Sequence, residues 1–219
     1  MPKTIIEYLH HHVTVKPNDI AFSFLPSKTQ PLTELTFREF WAEAISVANF
    51  LKSKVQVGDK VLLLYPPNID YVVTFYGCLI AGVIAVPAPL PKNNATQVIQ
   101  IVNECDPVLV LTTLREVTEI KTFWSKQKNL LNPTNIFTSD NSVSHLGDLD
   151  VIFELDPEAP AFIHYFSDSK NMNKGITLTH NDIIENVKHL PLMSAERTDD
   201  IFVGWLPFFN DMDLIALCS

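Results

Sequence analysis

Residues 161–181 read Ala161-Phe162-Ile163-His164-Tyr165-Phe166-Ser167-Asp168-Ser169-Lys170-Asn171-Met172-Asn173-Lys174-Gly175-Ile176-Thr177-Leu178-Thr179-His180-Asn181, and how they fold decides the architecture. The apolar run at the start predicts a strand, the Ser- and Asn-rich middle a polar loop, and the stretch after Gly175 the start of a helix, with Thr179 or Asn181 as its cap. A hydroxyl-rich loop that closes on Lys174-Gly175 can hold a polyanion, because backbone N–H groups, hydroxyls and an ammonium converge on phosphate oxygens. The same residues also suit a solvated turn between two elements. On these residues alone both readings stay open.

Upstream, short apolar runs alternate with helical periodicities. Val61-Leu62-Leu63-Leu64-Tyr65 is apolar throughout, as in a strand covered on both faces. A helix over 69–81 with Val72, Phe75, Tyr76 and Leu79 inward leads through Gly82 to a strand over 83–86, stopped by Pro87, Pro89 and Pro91. A helix over 94–105, a strand over 108–111, a helix over 115–125 and a strand around Ile136-Phe137 continue the pattern. Ahead of these, Thr4 caps a first helix, residues 20–25 suit a strand and 26–31 a loop. Thr36-Phe37-Arg38-Glu39 then opens a helix whose Phe37, Phe40, Trp41, Ala44, Ala48 and Leu51 share one face. Strands alternating with helices imply right-handed crossovers, and hence an α/β fold with a doubly wound, mostly parallel sheet. No Lys or Arg stands between Lys128 and Lys170 while carboxylates accumulate, which predicts a solvated acidic linker. A boundary is expected at 156–160, with 1–156 forming the parallel α/β part. Residues 157–219 would then hold the loop strand, the following helix and the incomplete start of a next part.

Composition narrows the function. Of 219 residues, 47% are hydrophobic and 19% charged, an ordinary globular balance, and the net charge of −9 argues against nucleic acid or an anionic membrane surface as partner. Cys78, Cys105 and Cys218 are scattered, so neither a disulfide framework nor a metal knuckle is expected. The N-terminus has no apolar signal core and no apolar run reaches the ~18 residues of a membrane helix, which places the expected location in the cytoplasm. His10-His11-His12 point in different directions around a helix, and Asp211-x-Asp213 is too sparse, so no metal site is predicted. Neither G-x-x-x-x-G-K-[ST] nor G-x-G-x-x-G is present.

A second stretch, Gly204-Trp205-Leu206-Pro207-Phe208-Phe209-Asn210-Asp211-Met212-Asp213-Leu214-Ile215, changes the weight of the first. Together they resemble the adenylate-forming, AMP-binding superfamily, most closely its fatty acyl-AMP ligase branch. That family carries Y-T-S-G-S-T-G-x-P-K-G after a strand, then S-H-x-N, then W-L-P-x-x-H-D-M-G-L. Tyr165, Ser167, Ser169, Lys174, Gly175, His180, Trp205, Leu206, Pro207, Asp211, Met212 and Leu214 match. Val57-Gly58-Asp59-Lys60-Val61 and residues 77–87 are similar to family phrases from its N-terminal subdomain. The departures cluster in the loops: Phe166, Lys170 and Asn173 replace Thr, Thr and Pro, Asp168 and Asn171 replace glycines, and Asn210 and Asp213 replace His and Gly. Asp168 adds bulk and a like charge where phosphate would lie.

The resemblance implies that Ser167, Ser169, Lys174 and Gly175 meet nucleotide phosphates and that His180, Trp205, Asn210 and Asp211 border an acyl-adenylate pocket. It assigns no catalytic residue here. It also implies ATP and Mg²⁺ as cofactors, a fatty acid and an acyl carrier protein as partners, and activation of the acid to an acyl-adenylate. The apolar end, Leu214 to Ser219, has no helix stop signal. The chain is therefore expected to be a truncated portion, inactive alone, that self-associates through this end. The alternatives are a non-catalytic binding or regulatory module that docks on a full-length ligase or carrier protein, and nucleotide binding without turnover.

Overall fold

A computed structural model describes residues 2–25, 31–127, 135–139, 155–167, 173–194 and 203. In chain order the elements are α1 (Ile5–Val15), β1 (Ile20–Phe24), β2 (Thr33–Thr36), α2 (Phe37–Lys52), β3 (Lys60–Leu64), α3 (Ile69–Ala81) and β4 (Ile84–Ala88). They continue with α4 (Pro91–Cys105), β5 (Leu109–Thr112), α5 (Val117–Ser125), β6 (Ile136–Thr138), β7 (Pro160–Ser167), β8 (Asn173–Thr179) and α6 (His180–Ser194). β1 and β2 form a separate antiparallel ribbon. The main sheet has the order β6-β5-β3-β4-β7-β8, parallel except for β8, which runs antiparallel to β7. β7 and β8 lie beyond the expected boundary at 156–160, yet they belong to the same six-stranded sheet as β3 to β6.

The apolar alternation of the strands divides the core in two. Val61, Leu63, Ala85, Leu109, Leu111 and Phe162 face one layer with side chains of α1, α2, α3 and α6. Leu62, Leu64, Val86, Val110, Ile163 and Tyr165 face the other, under α4 and α5. Because successive strand residues point to opposite faces, a strand buried on both sides must be apolar at every position, as β3 is. α3 is buried from Tyr71 to Ala81, which requires apolar residues all round the helix.

Three local expectations need correction. β4 runs through Pro87 to Ala88 instead of ending before it. Pro87 lacks an N–H, but the recorded pairing of β4 with β7 is confined to Ala85 and Phe162, so the missing donor interrupts no longer ladder there. α4 starts at Pro91, and Asn94 interrupts it with non-helical angles while its side chain accepts from the Gln97 N–H at 3.1 Å. The Asn94 start read from sequence is thus the start of the second half of this helix. β2 appears where no strand was expected, since Thr33-Glu34-Leu35-Thr36, with one leucine among polar residues, gives little apolar signal.

α2 and α3 approach each other through Gly77. A Cβ there would stand 2.6 Å from Val47 Cγ1 and 3.1 Å from the Ala44 carbonyl oxygen. Gly77→Ala is expected to cost about 1–3 kcal/mol by overpacking, read as a lower urea midpoint. The loss should shrink when Val47 is also made alanine, and an unchanged midpoint in the single variant would remove this account.

Candidate functional site

In open α/β sheets the usual ligand crevice lies beyond the carboxyl ends of two strands whose connections leave in opposite directions. Here those strands are β3 and β5, and their ends are bonded to each other. Thr112 Oγ1 donates to the Leu64 carbonyl at 2.7 Å, and the Tyr65 hydroxyl donates to Ser139 Oγ at 2.8 Å and accepts from Thr74 Oγ1 at 3.1 Å. Burial pushes the Tyr65 phenol above its ordinary pKa, so it stays a neutral donor. Thr112, Tyr65, Thr74 and Ser139 are thus engaged with one another or with the backbone, whereas the buried Thr113 Oγ1 next to them has no partner among the described residues.

The other candidate is the β7–β8 hairpin. Its register pairs Phe162 with Leu178, Ile163 with Thr177, His164 with Ile176, Tyr165 with Gly175, Phe166 with Lys174 and Ser167 with Asn173. Residues 176–179 are therefore strand, where the sequence reading began a helix. The alternation and β-branching of Ile176-Thr177-Leu178-Thr179 suit a pleated, half-buried surface, and pairing with β7 satisfies their backbone. α6 begins one step later, at His180. Thr179 is its cap: Thr179 Oγ1 accepts from the Asp182 N–H at 3.1 Å, and Asp182 Oδ2 accepts from the Thr179 N–H at 2.8 Å.

The predicted site residues divide between these elements. Lys174 is exposed at the turn end of β8, on the face that the two-residue period gives to Leu178, and Gly175 is its neighbour on the opposite face. Ser167 closes the ladder opposite Asn173. Ser169, Trp205, Asn210 and Asp211 lie outside the described residues, as do the apolar C-terminal end, Cys218 and most of the acidic stretch. Cys78 and Cys105 are buried free thiols.

His180 is 1% exposed, and burial pulls its imidazole down to about 4, opposed by the attraction of Asp156. Its Nδ1 has no hydrogen-bond partner among the described residues. The His180 N–H donates to the Ala159 carbonyl at 3.3 Å and the Asn181 N–H to the Pro157 carbonyl at 2.8 Å. With the Asp182 N–H held by Thr179, the first donors of α6 are occupied, so this helix start offers little to an anion.

One pair escaped sequence reasoning. The Tyr165 ring lies on Gly175, and its hydroxyl is within hydrogen-bonding reach of the Glu104 carboxylate on α4. No spacing in the sequence signals it, because the partners meet only once residues 173–179 form a strand.

The sequence of residues 9–219 matches the family model described as AMP-binding enzyme. The chain belongs to that family. It is 25% identical to a medium-chain-fatty-acid–[acyl-carrier-protein] ligase of Moorena producens, with 96% of this chain and 36% of the relative covered. It is 30% identical to a 4-hydroxyphenylalkanoate adenylyltransferase of Mycobacterium marinum, over 97% of this chain and 36% of the relative. The crystal structure of a fatty acid AMP ligase from Legionella pneumophila superposes on the whole chain with a TM-score of 0.85, at 23% identity and 38% of that protein's length. The fold is thus that of the N-terminal region of adenylate-forming enzymes. The chain spans a little over a third of the length of the relatives it matches. Among the described residues no helix is long and apolar enough to cross a membrane, and no three His, Cys, Asp or Glu side chains gather as metal ligands.

Two outcomes follow for this corner of the fold. The folded pKa of His180, about 4, lies below its unfolded value of 6.5, so the unfolded chain takes up the proton first. Stability is unaffected above pH 6.5 and falls as pH drops from 6.5 through 4, by up to roughly 3 kcal/mol. Denaturation midpoints against pH should show this acid limb, and His180→Asn should flatten it. Thr179→Ala should cost about 1 kcal/mol through loss of the cap, read in the same titrations at neutral pH.

Proposed function

We propose that this chain is part of a fatty acyl-AMP ligase and that the β7–β8 hairpin forms the wall of its site that meets nucleotide phosphates. The observation that carries the reading is the exposed Lys174 at the foot of the turn, on an AMP-binding family chain whose relatives include a fatty-acid–[acyl-carrier-protein] ligase. The reaction joins a fatty acid carboxylate oxygen to the α-phosphorus of ATP and breaks its bond to the departing pyrophosphate. The acyl group would then pass to an acyl carrier protein.

Catalysis of this kind rests on positioning and on neutralising charge that builds on phosphate oxygens. Lys174 supplies a compact ammonium for that purpose, and Lys170 with Lys174 outweighs the single carboxylate of Asp168 in the turn. Gly175, Ser167 and Ser169 complete the phosphate wall in this proposal, with His180, Trp205, Asn210 and Asp211 on the acyl-adenylate side. Mg²⁺ would screen the phosphates. Asp182, near the hairpin, is engaged by Thr179 and is unsuited to hold the ion, so Mg²⁺ would arrive with the nucleotide. The complete reaction draws on parts of the relatives outside the matched third, and the 219-residue chain supplies one wall and the scaffold behind it.

The test is fatty-acid-dependent ATP–pyrophosphate exchange, together with ATP titration calorimetry, on purified chain whose fold circular dichroism has checked. The expected result is ATP binding without exchange, weakened about tenfold or more by Lys174→Ala, which corresponds to ~1.4 kcal/mol. Exchange above background would overturn the division of labour between this chain and the rest. Unchanged affinity in Lys174→Ala would overturn the phosphate wall.

A further inference from the structure

Gly175 is not one of the described glycines with positive φ, so backbone conformation does not explain why a residue without a side chain stands there. The facing ring does. A Cβ on Gly175 would lie 2.9 Å from Tyr165 Cζ, 3.0 Å from its Cε1 and 3.1 Å from Ile163 Cγ2. Side-chain carbons do not approach so closely, so the Tyr165 ring is seated on bare backbone, an aromatic–glycine pair across two strands. From behind, the ring is held in the layer that contains Val98, Ile101, Val102 and Cys105 of α4. It is 6% exposed and has little room to retreat.

We propose that Tyr165 is a positioning residue: its ring accepts only Gly175 opposite it, which locks the register of β8 and thereby decides the face of the hairpin on which Lys174 emerges. A slip of one residue would bring Lys174 or Ile176 opposite the ring, each with the Cβ that the ring excludes. The same slip would carry every β8 side chain to the other face and turn Lys174 toward α4. Leu178, packed against the core opposite Phe162, favours the same register through burial, and the ring on Gly175 adds a steric exclusion to it. The consequence for nucleotide rests on the phosphate role proposed above for Lys174. The lock itself does not.

The experiment compares wild type with Tyr165→Phe, Tyr165→Val, Gly175→Ala and the double variant Tyr165→Val/Gly175→Ala. ATP affinity by calorimetry and hydrogen exchange of the 173–179 amides are the readouts. Gly175→Ala should weaken ATP binding about tenfold and speed exchange along β8. Tyr165→Phe, which keeps the ring, should match wild type in both. The double variant should recover most of both losses, because an alanine has room opposite a valine. A double variant as weak as Gly175→Ala overturns the lock, since the glycine would then be acting through its own backbone at phosphate. If wild type binds no ATP, the phosphate reading fails by itself and exchange decides the lock: unchanged protection in Gly175→Ala overturns it. Should Gly175→Ala not fold, a folded double variant is the expected rescue, and an unfolded one counts against the proposal.

Discussion

The fold depends on the burial of β3 from both sides. Val61, Leu62, Leu63 and Leu64 are fully inaccessible, with neighbouring strands on each edge and a helical layer on each face. A strand in that position has no solvent to satisfy its backbone, so the parallel ladders to β4 and β5 are obligatory, and they bring α3, α4 and α5 with them as crossovers. The rest of the molecule is arranged to keep this strand dry. α2 reaches close enough to cover the layer because Gly77 lets two helix backbones meet, and α1 and α6 close the outer part of the same layer.

At the far edge the constraint changes from burial to hydrogen-bond accounting. β7 and β8 pair along their length, and the donors at the start of α6 are each given a carbonyl or a threonine hydroxyl. The crevice between β3 and β5 is likewise filled by Thr112, Tyr65, Thr74 and Ser139. Most polar groups at both places are satisfied within the protein, His180 Nδ1 and Thr113 Oγ1 being exceptions, and Lys174 is an exposed ammonium among the described residues of the hairpin. The committed donors behind it are matched to holding shape.

Legibility followed burial. β3, α3 and β5 were readable because a strand or helix covered on all sides must be apolar at every position, a pattern that needs no partner to be recognised. The Thr36–Glu39 capping box was readable because both partners are local in sequence. β8 was not: Lys174-Gly175-Ile176-Thr177 mixes polar and apolar residues, its partner strand is an edge neighbour, and the threonine that caps α6 made the helix seem to begin earlier. β2 failed for the same reason, its pairing with β1 being almost its whole signal. For the site, Lys174 could be singled out from the motif, but the contact between Tyr165 and Gly175 is a property of register, which pattern alone does not fix.

The bonds from His180 and Asn181 back to Ala159 and Pro157 tie the end of the hairpin to the residues just before its first strand. Strand out, turn and strand back therefore form a closed cassette: the chain leaves the frame and re-enters it at nearly one point. Anchored at its base in this way, the hairpin holds the start of β7 and the start of α6 together as one part of the frame, which fixes where the chain re-enters it after β8.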